Sequence, residues 1–164
     1  MRLFRHIIIG VVCVLCMFLL GSVAQTAGKM CPDQVLPEGY YSSGGWMVTD
    51  PYAKVPQYSL NIASRKDRGD TLFLSRLLYN DEKGCAHWKI VSTFDLPERH
   101  DSIVLAYECR KNGAEDRAVF AYVRSTDGPE YTTIVQAWRV MMEQEKIVAI
   151  TSKGIVCVNQ GYGL

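Results

Sequence analysis

The sequence predicts an all-β or β-dominated domain: a small antiparallel sheet, sandwich or barrel that two disulfides hold together. Apolar residues alternate with polar ones in short segments, and polar turns separate these segments at intervals of about ten residues. An N-terminal leader is followed by an even number of cysteines, as in exported disulfide-bonded domains. These observations indicate strands rather than helices, in a compartment where thiols are oxidised.

The first element is a leader over residues 1–24 with the features of a secretory signal peptide. Arg2 and Arg5 form a basic head, residues 7–20 are an uncharged apolar run, and Ser22-Val23-Ala24 supplies small residues at a cleavage site. As a helix the run spans about 21 Å, shorter than the roughly 30 Å hydrocarbon core of a bilayer. We therefore expect cleavage after residue 24, periplasmic or secreted localisation, and no stable membrane anchor afterwards.

The mature chain, residues 25–164, is long enough for one domain. The protein has 18 Lys and Arg against 17 Asp and Glu, and two of the arginines leave with the leader. The mature chain is therefore nearly neutral, and it has no basic tract. Because nucleic-acid binding depends on neutralising phosphates, this balance argues against a nucleic-acid partner. No motif indicates a cofactor.

Four cysteines remain in the mature chain once the two in the leader are removed. In an oxidising compartment they indicate two disulfides, and four cysteines allow three pairings. The preferred pairing joins Cys109 to Cys157, since each lies near the end of an apolar strand, and joins Cys31 to Cys85.

The clearest strands lie in the second half of the chain. Residues 103–109 alternate with a period of two, and Asn112-Gly113 is a dipeptide that suits the positive φ angles of a hairpin turn. Residues 118–124 form the return strand, and a turn around Asp127-Gly128-Pro129 follows. Further strands are expected over residues 132–142, 147–151 and 155–158.

Another strand pair is expected earlier, over residues 71–79 and 88–94, with a polar turn between them. The first of these segments also fits a short helix, because its leucines match either period. Strands are thus expected across residues 71–158.

Residues 25–58 are expected to be loop-rich, because prolines and glycines interrupt them and only Trp46-Met47-Val48 resembles a strand. This segment holds much of the aromatic content. Tyrosine and tryptophan suit both protein partners and sugar faces, and they equally suit a small interior core. The candidate binding residues are Tyr40, Tyr41, Trp46, Tyr52 and Tyr58.

Groups capable of chemistry are sparse. Asp95, Glu98, His100 and Asp101 gather three carboxylates and an imidazole in a link between strands, where polar residues are normally solvated. No nucleophile elbow, zinc-protease motif or phosphate-binding loop is present. Cys85-Ala86-His87 contains two potential metal ligands without a second pair to complete a site, so neither a catalytic nor a metal residue is assigned.

Tyr107-Glu108-Cys109, followed by Gly113, resembles the Tyr-x-Cys-x-x-Gly element of periplasmic C-type lysozyme inhibitors. That resemblance implies a small disulfide-bearing β-barrel. The glycine lies one residue later than in the family element and the other elements of the family are absent, so no site residue follows from the resemblance.

These observations favour a non-enzymatic binding module whose partner is another protein or an envelope polymer. An inhibitor or immunity-type protein that acts on a hydrolase is one form of such a module. Two alternatives remain open: an extracytoplasmic hydrolase that uses the cluster at Asp95, Glu98, His100 and Asp101, and an envelope or surface-assembly subunit.

Overall fold

The computed structural model describes residues 36–48, 57–66 and 68–163. The chain divides into two units, Met1–Cys31 and Pro32–Leu164, and every described residue belongs to the second. The expected leader, Cys31 and Tyr52 lie outside the described residues.

Within these ranges the chain is β-dominated, and the strands form three antiparallel sheets, which confirms the predicted fold class. Sheet A has the order β1-β2-β3-β4, sheet B the order β11-β10-β8-β5, and sheet C the order β7-β6-β12-β9. The strands are β1 (Tyr40–Val48), β2 (Tyr58–Arg65), β3 (Arg68–Asn80), β4 (Ala86–Asp95), β5 (Ile103–Ala106), β6 (Cys109–Lys111), β7 (Ala114–Glu115), β8 (Val119–Arg124), β9 (Glu130–Tyr131), β10 (Ile134–Met141), β11 (Lys146–Ile150) and β12 (Ile155–Val158).

Sheet B is the central layer, and its strand β8 is buried on both faces. Phe120 and Tyr122 pack into a core that sheets A and B share. Val119, Ala121 and Val123 point the other way, into a second core shared with sheet C. An almost continuous apolar run in the sequence is typical of a strand with two buried faces.

The chain changes sheets at Glu108, where the sequence predicted one strand over residues 103–109. Glu108 has a φ of 59°, a left-handed conformation that ends β5 in sheet B before β6 begins in sheet C. The alternation of apolar and polar residues in the sequence continues through Glu108, because residues before and after it in the chain are partly buried. The expected single strand is therefore two short strands in different sheets.

The expectation of a loop-rich segment is wrong for residues 40–45, whereas Trp46-Met47-Val48 lies in a strand as its pattern indicated. Residues 40–48 form β1, the edge strand of sheet A, with a register shift between Ser42 and Gly44. β2 follows at Tyr58, where no strand was predicted. In the sequence, β1 begins after Pro37 and β2 begins after Pro56, so a proline-containing region still holds two strands.

One expected disulfide, Cys109–Cys157, is present in the described part of the chain. It joins directly paired residues of β6 and β12, and both cysteines are fully buried in the second core. Cys85 is buried and disulfide-bonded, but the expected Cys31–Cys85 pairing involves a residue outside the described ranges.

Candidate functional site

Three of the aromatic binding candidates pack against neighbouring side chains of the fold, and two of them, Trp46 and Tyr58, do so in the core shared by sheets A and B. The ring of Tyr40 meets Phe73 edge-on, with centroids 5.0 Å apart. Trp46 stacks on Tyr107 and packs against the core shared by sheets A and B. Tyr58 is buried in that core, and its hydroxyl donates a hydrogen bond of 3.2 Å to the carbonyl oxygen of Met142. The positions of Trp46 and Tyr58 match the interior alternative that the sequence left open.

Tyr41 differs from these residues, since 72% of its surface is exposed. It lies on β1 opposite Ser64 of β2. Within the described residues, Tyr41 is therefore the binding candidate from the sequence that solvent reaches most fully.

The acidic cluster considered for hydrolysis is not assembled as a catalytic site. Asp95 accepts a hydrogen bond of 2.8 Å from the Thr71 hydroxyl, a contact between neighbouring strands. Glu98, His100 and Asp101 are exposed, and the described residues give their side chains no hydrogen bond or ion pair. General acid–base catalysis requires groups within hydrogen-bond reach of one another or of a shared substrate, and no contact in the described chain joins these four side chains to one another.

Asp81 and His87 form a second pairing of an acid with an imidazole, at 3.3 Å. The Cys85 backbone N–H donates to the Asp81 carboxylate, and this hydrogen bond is the main reason that the pKa of Asp81 is lowered. Lys83 N–H donates to the same oxygen, so Asp81 closes the turn before Cys85. Within the described ranges, no three potential ligands come together to bind a metal ion.

A groove of about 270 Å³ lies on sheet A, and we call it the outer groove. It is lined by Gly45, Trp46, Met47, Ser59, Leu60, Asn61 and Trp88.

Strand register explains which residues open into the outer groove. Trp46 pairs with Leu60, and Leu60 is buried in the core shared by sheets A and B. Since side chains alternate between faces, the neighbouring pairs Gly45–Asn61 and Met47–Ser59 lie on the opposite, outer face. Met47 is 39% exposed. The groove therefore lies on the face of sheet A that is turned away from sheet B.

Polar atoms without partners distinguish the outer groove. The hydroxyl of Ser59, on the outer face, is shielded from solvent and has no hydrogen-bond partner among the described residues. Asn61 accepts a hydrogen bond of 3.0 Å from Ser42 through its Oδ1, which leaves its Nδ2 without a partner in the described chain. Shielded polar groups cost free energy unless they are paired, so these atoms can gain hydrogen bonds from a ligand.

Trp88 is the aromatic residue available at the outer groove. It is half-buried on β4, and no aromatic ring or hydrogen-bond partner within the described ranges engages its indole. Trp138, by contrast, is 1% exposed in the core, and Trp46 is stacked on Tyr107. Trp88 thus combines a large contact area with an unused N–H donor.

Sequence reasoning did not single out Trp88. Its strand was predicted, but a period of two does not state which face of the strand is buried. The pairing of β3 with β4 also shifts in register between Leu74 and Ser75 and between Leu77 and Tyr79. Simple alternation therefore does not give the residue pairs of these two strands. The only available signal was a tryptophan beside charged and polar neighbours.

No family model, curated protein or solved structure matches this chain. The likeness of residues 107–113 to an inhibitor element therefore adds no residue to the site. None of the described segments forms an apolar helix long enough to cross a bilayer.

Proposed function

We propose that this protein is an extracytoplasmic, non-enzymatic binding module that captures its partner at the outer groove. The observation that supports the proposal is the pair of unpartnered polar groups at Ser59 and Asn61, beside the available indole of Trp88. A rigid sheet with such a groove can bind by contact alone, without chemistry.

The mechanism is steric and depends on preorganisation. Strands on both sides hold β2 in register, so Ser59 and Asn61 keep their positions before the partner arrives. Little conformational entropy is then lost on binding, which leaves more of the contact energy as affinity. The exposed side chain of Met47 and the half-buried indole of Trp88 supply the apolar contact.

Export is part of this proposal. The buried Cys109–Cys157 bond is typical of an oxidising compartment, and the leader-like N-terminus favours the periplasm or secretion. Because Cys109 and Cys157 are fully buried, thiol titration is done on protein unfolded in denaturant without reductant, and it should find no reactive sulfhydryl at either position. Free thiols at both positions would contradict export.

Capture from the extracytoplasmic envelope fraction tests the binding function. Immobilised mature protein should retain a component that a Trp88→Ala variant fails to retain. Because Trp88 is half-buried, both proteins must also be compared by thermal unfolding, with a change of only a few degrees expected for the variant.

Tyr162→Ala is the matched control, because Tyr162 is an aromatic residue with 57% exposure that does not line the outer groove. This variant should retain the component as the unmodified protein does. Equal retention by Trp88→Ala and the unmodified protein would refute binding at this groove. Retention lost on Tyr41→Ala instead would move the site to the exposed end of β1.

A further inference from the structure

We propose that the ligand of the outer groove is a neutral saccharide, with one hexose or N-acetylhexosamine unit stacked on Trp88. This inference rests on the proposed binding function and adds the chemical class of the ligand. It follows from the shape of the groove, from its lack of charge and from the position of its hydrogen-bonding atoms.

The two sides of a pyranose ring match the two kinds of surface in the groove. One face of the ring presents C–H groups, which pack on an indole, and the rim presents hydroxyls, which need donors and acceptors. Trp88 provides the indole, Asn61 Nδ2 provides a donor, and the Ser59 hydroxyl can donate or accept. These three groups line one groove.

The lining excludes a strongly charged ligand. None of the described residues that line the groove has an ionisable side chain. An anionic or cationic polymer would lose hydration on entry and would gain no ion pair in return. A neutral ligand with many hydroxyls loses less hydration free energy on entry, and its hydroxyls form hydrogen bonds with the unpartnered polar atoms.

Position in the sheet argues against an extended peptide as the ligand. Peptides that join a sheet do so at an edge, where backbone N–H and C=O groups are open. Ser59 and Asn61 lie on β2, whose backbone is already paired with β1 on one side and β3 on the other. At Ser59 and Asn61 the groove therefore offers side chains rather than open backbone, as suits a sugar ring.

The volume of the groove fits one sugar unit better than a large ligand. Its volume of about 270 Å³ is just below that of typical ligand pockets, which begin at about 300 Å³. A single unit of a longer polymer would occupy it while the neighbouring units remain in solvent. We therefore expect millimolar to high-micromolar affinity for a short oligosaccharide.

Calorimetric titration of the mature protein with uncharged tetrasaccharides tests this inference. The probes are the oligomers of N-acetylglucosamine and of glucose, with tetragalacturonate as an anionic control. We expect saturable binding of an uncharged probe to the unmodified protein. Tetragalacturonate should bind at least roughly tenfold more weakly, and the Trp88→Ala variant should bind the uncharged probe at least roughly tenfold more weakly than the unmodified protein does.

A second variant, Asn61→Asp, removes the amide donor but keeps an oxygen that can accept from Ser42. It should weaken saccharide binding several-fold without unfolding the protein, and Tyr162→Ala should leave affinity unchanged. If neither uncharged probe binds while capture from the envelope still depends on Trp88, the ligand is not a neutral saccharide. The proposed binding function would then remain intact. Equal affinity for tetragalacturonate, or binding unaffected by Trp88→Ala and Asn61→Asp, would also overturn the neutral saccharide as the ligand.

Discussion

The indole of Trp46 lies nearly parallel to the ring of Tyr107, with centroids 4.9 Å apart and planes inclined by 5°. Trp46 belongs to β1 at the edge of sheet A, and Tyr107 follows β5 at the edge of sheet B. Phe120 of β8 meets the same indole edge-on at 5.6 Å. The stack therefore joins the edges of two sheets over their shared core.

Trp46→Ala should destabilise the protein by about 3 kcal/mol, since truncating a large packed aromatic costs about 3–5 kcal/mol when it is fully buried. Trp46→Phe should cost less, because phenylalanine keeps a ring against Tyr107 and removes the shielded Nε1, which has no partner among the described residues. Urea unfolding measures both changes. Tyr41→Ala, at a position 72% exposed, is the control and should shift stability by no more than about 0.5 kcal/mol.

A loss of less than about 1 kcal/mol for Trp46→Ala would show that the stack contributes little beyond an exposed aromatic. Trp46 would then return to the set of binding residues that the sequence suggested.

The Cys109–Cys157 disulfide should contribute about 4 kcal/mol to the free energy of unfolding. The two cysteines are 48 residues apart in sequence, and the loop-entropy model gives about this value for a loop of that length. The double variant Cys109→Ala, Cys157→Ala tests the bond without leaving a free buried thiol. Urea unfolding of both proteins without reductant measures the difference.

Residual structure in the unfolded chain and small cavities at the two alanines change the observed value, so about 2–5 kcal/mol is expected. A double variant as stable as the unmodified protein would contradict a structural role for this bond.

Local sequence patterns predicted much of the strand content. Asn112 and Gly113 both have positive φ, at 52° and 84°, and they form the turn between β6 and β7 as the dipeptide indicated. β8 and β10 lie within the predicted segments because each is a long apolar run. β2 was missed although Tyr58, Leu60 and Ile62 alternate with smaller or polar residues.

Placement of those strands in three sheets could not be read from the sequence. The switch at Glu108 needs one left-handed residue, and glutamate has no marked preference for that conformation. The residues of the outer groove could not be predicted from the sequence for a related reason. Whether Ser59, Asn61 and Trp88 share a face depends on register between strands, which period-two patterns leave open.

Gly45→Ala should destabilise sheet A by about 1–3 kcal/mol and weaken binding at the outer groove. A Cβ at this position would lie 2.5 Å from the carbonyl oxygen of Leu60, so β1 would have to move away from β2. Gly69→Ala is the matched control, because its added Cβ meets nothing within 4 Å. Thermal unfolding and the saccharide titration measure the two effects.

Gly69→Ala should leave stability unchanged or slightly higher, since alanine restricts the unfolded chain. If Gly45→Ala behaved in the same way, the close approach of β1 and β2 would not constrain the groove.

Ionisation of Tyr58 should lower the free energy of unfolding at alkaline pH. Burial is the main cause that raises the pKa of this phenol above its ordinary value, and the Glu145 carboxylate adds to it, while Arg76 opposes it. A tyrosine whose pKa is raised on folding contributes fully to the free energy of unfolding at pH values below its pKa in the unfolded chain, about 10. It loses that contribution as the pH rises through its pKa in the folded protein.

Tyr58→Phe removes this titration and also the hydrogen bond to the Met142 carbonyl oxygen, so the variant should be about 1 kcal/mol less stable at neutral pH. That difference should shrink as pH rises above about 10, because only the unmodified protein must then bury or expel a tyrosinate. Urea unfolding of both proteins from neutral to alkaline pH measures the difference, and tyrosinate absorbance locates the ionisation. Tyr122, whose pKa burial also raises, is present in both proteins, so its contribution cancels in the comparison. A stability difference that stays constant while tyrosinate forms would show that the Tyr58 hydroxyl is no harder to ionise in the folded protein than in the unfolded chain.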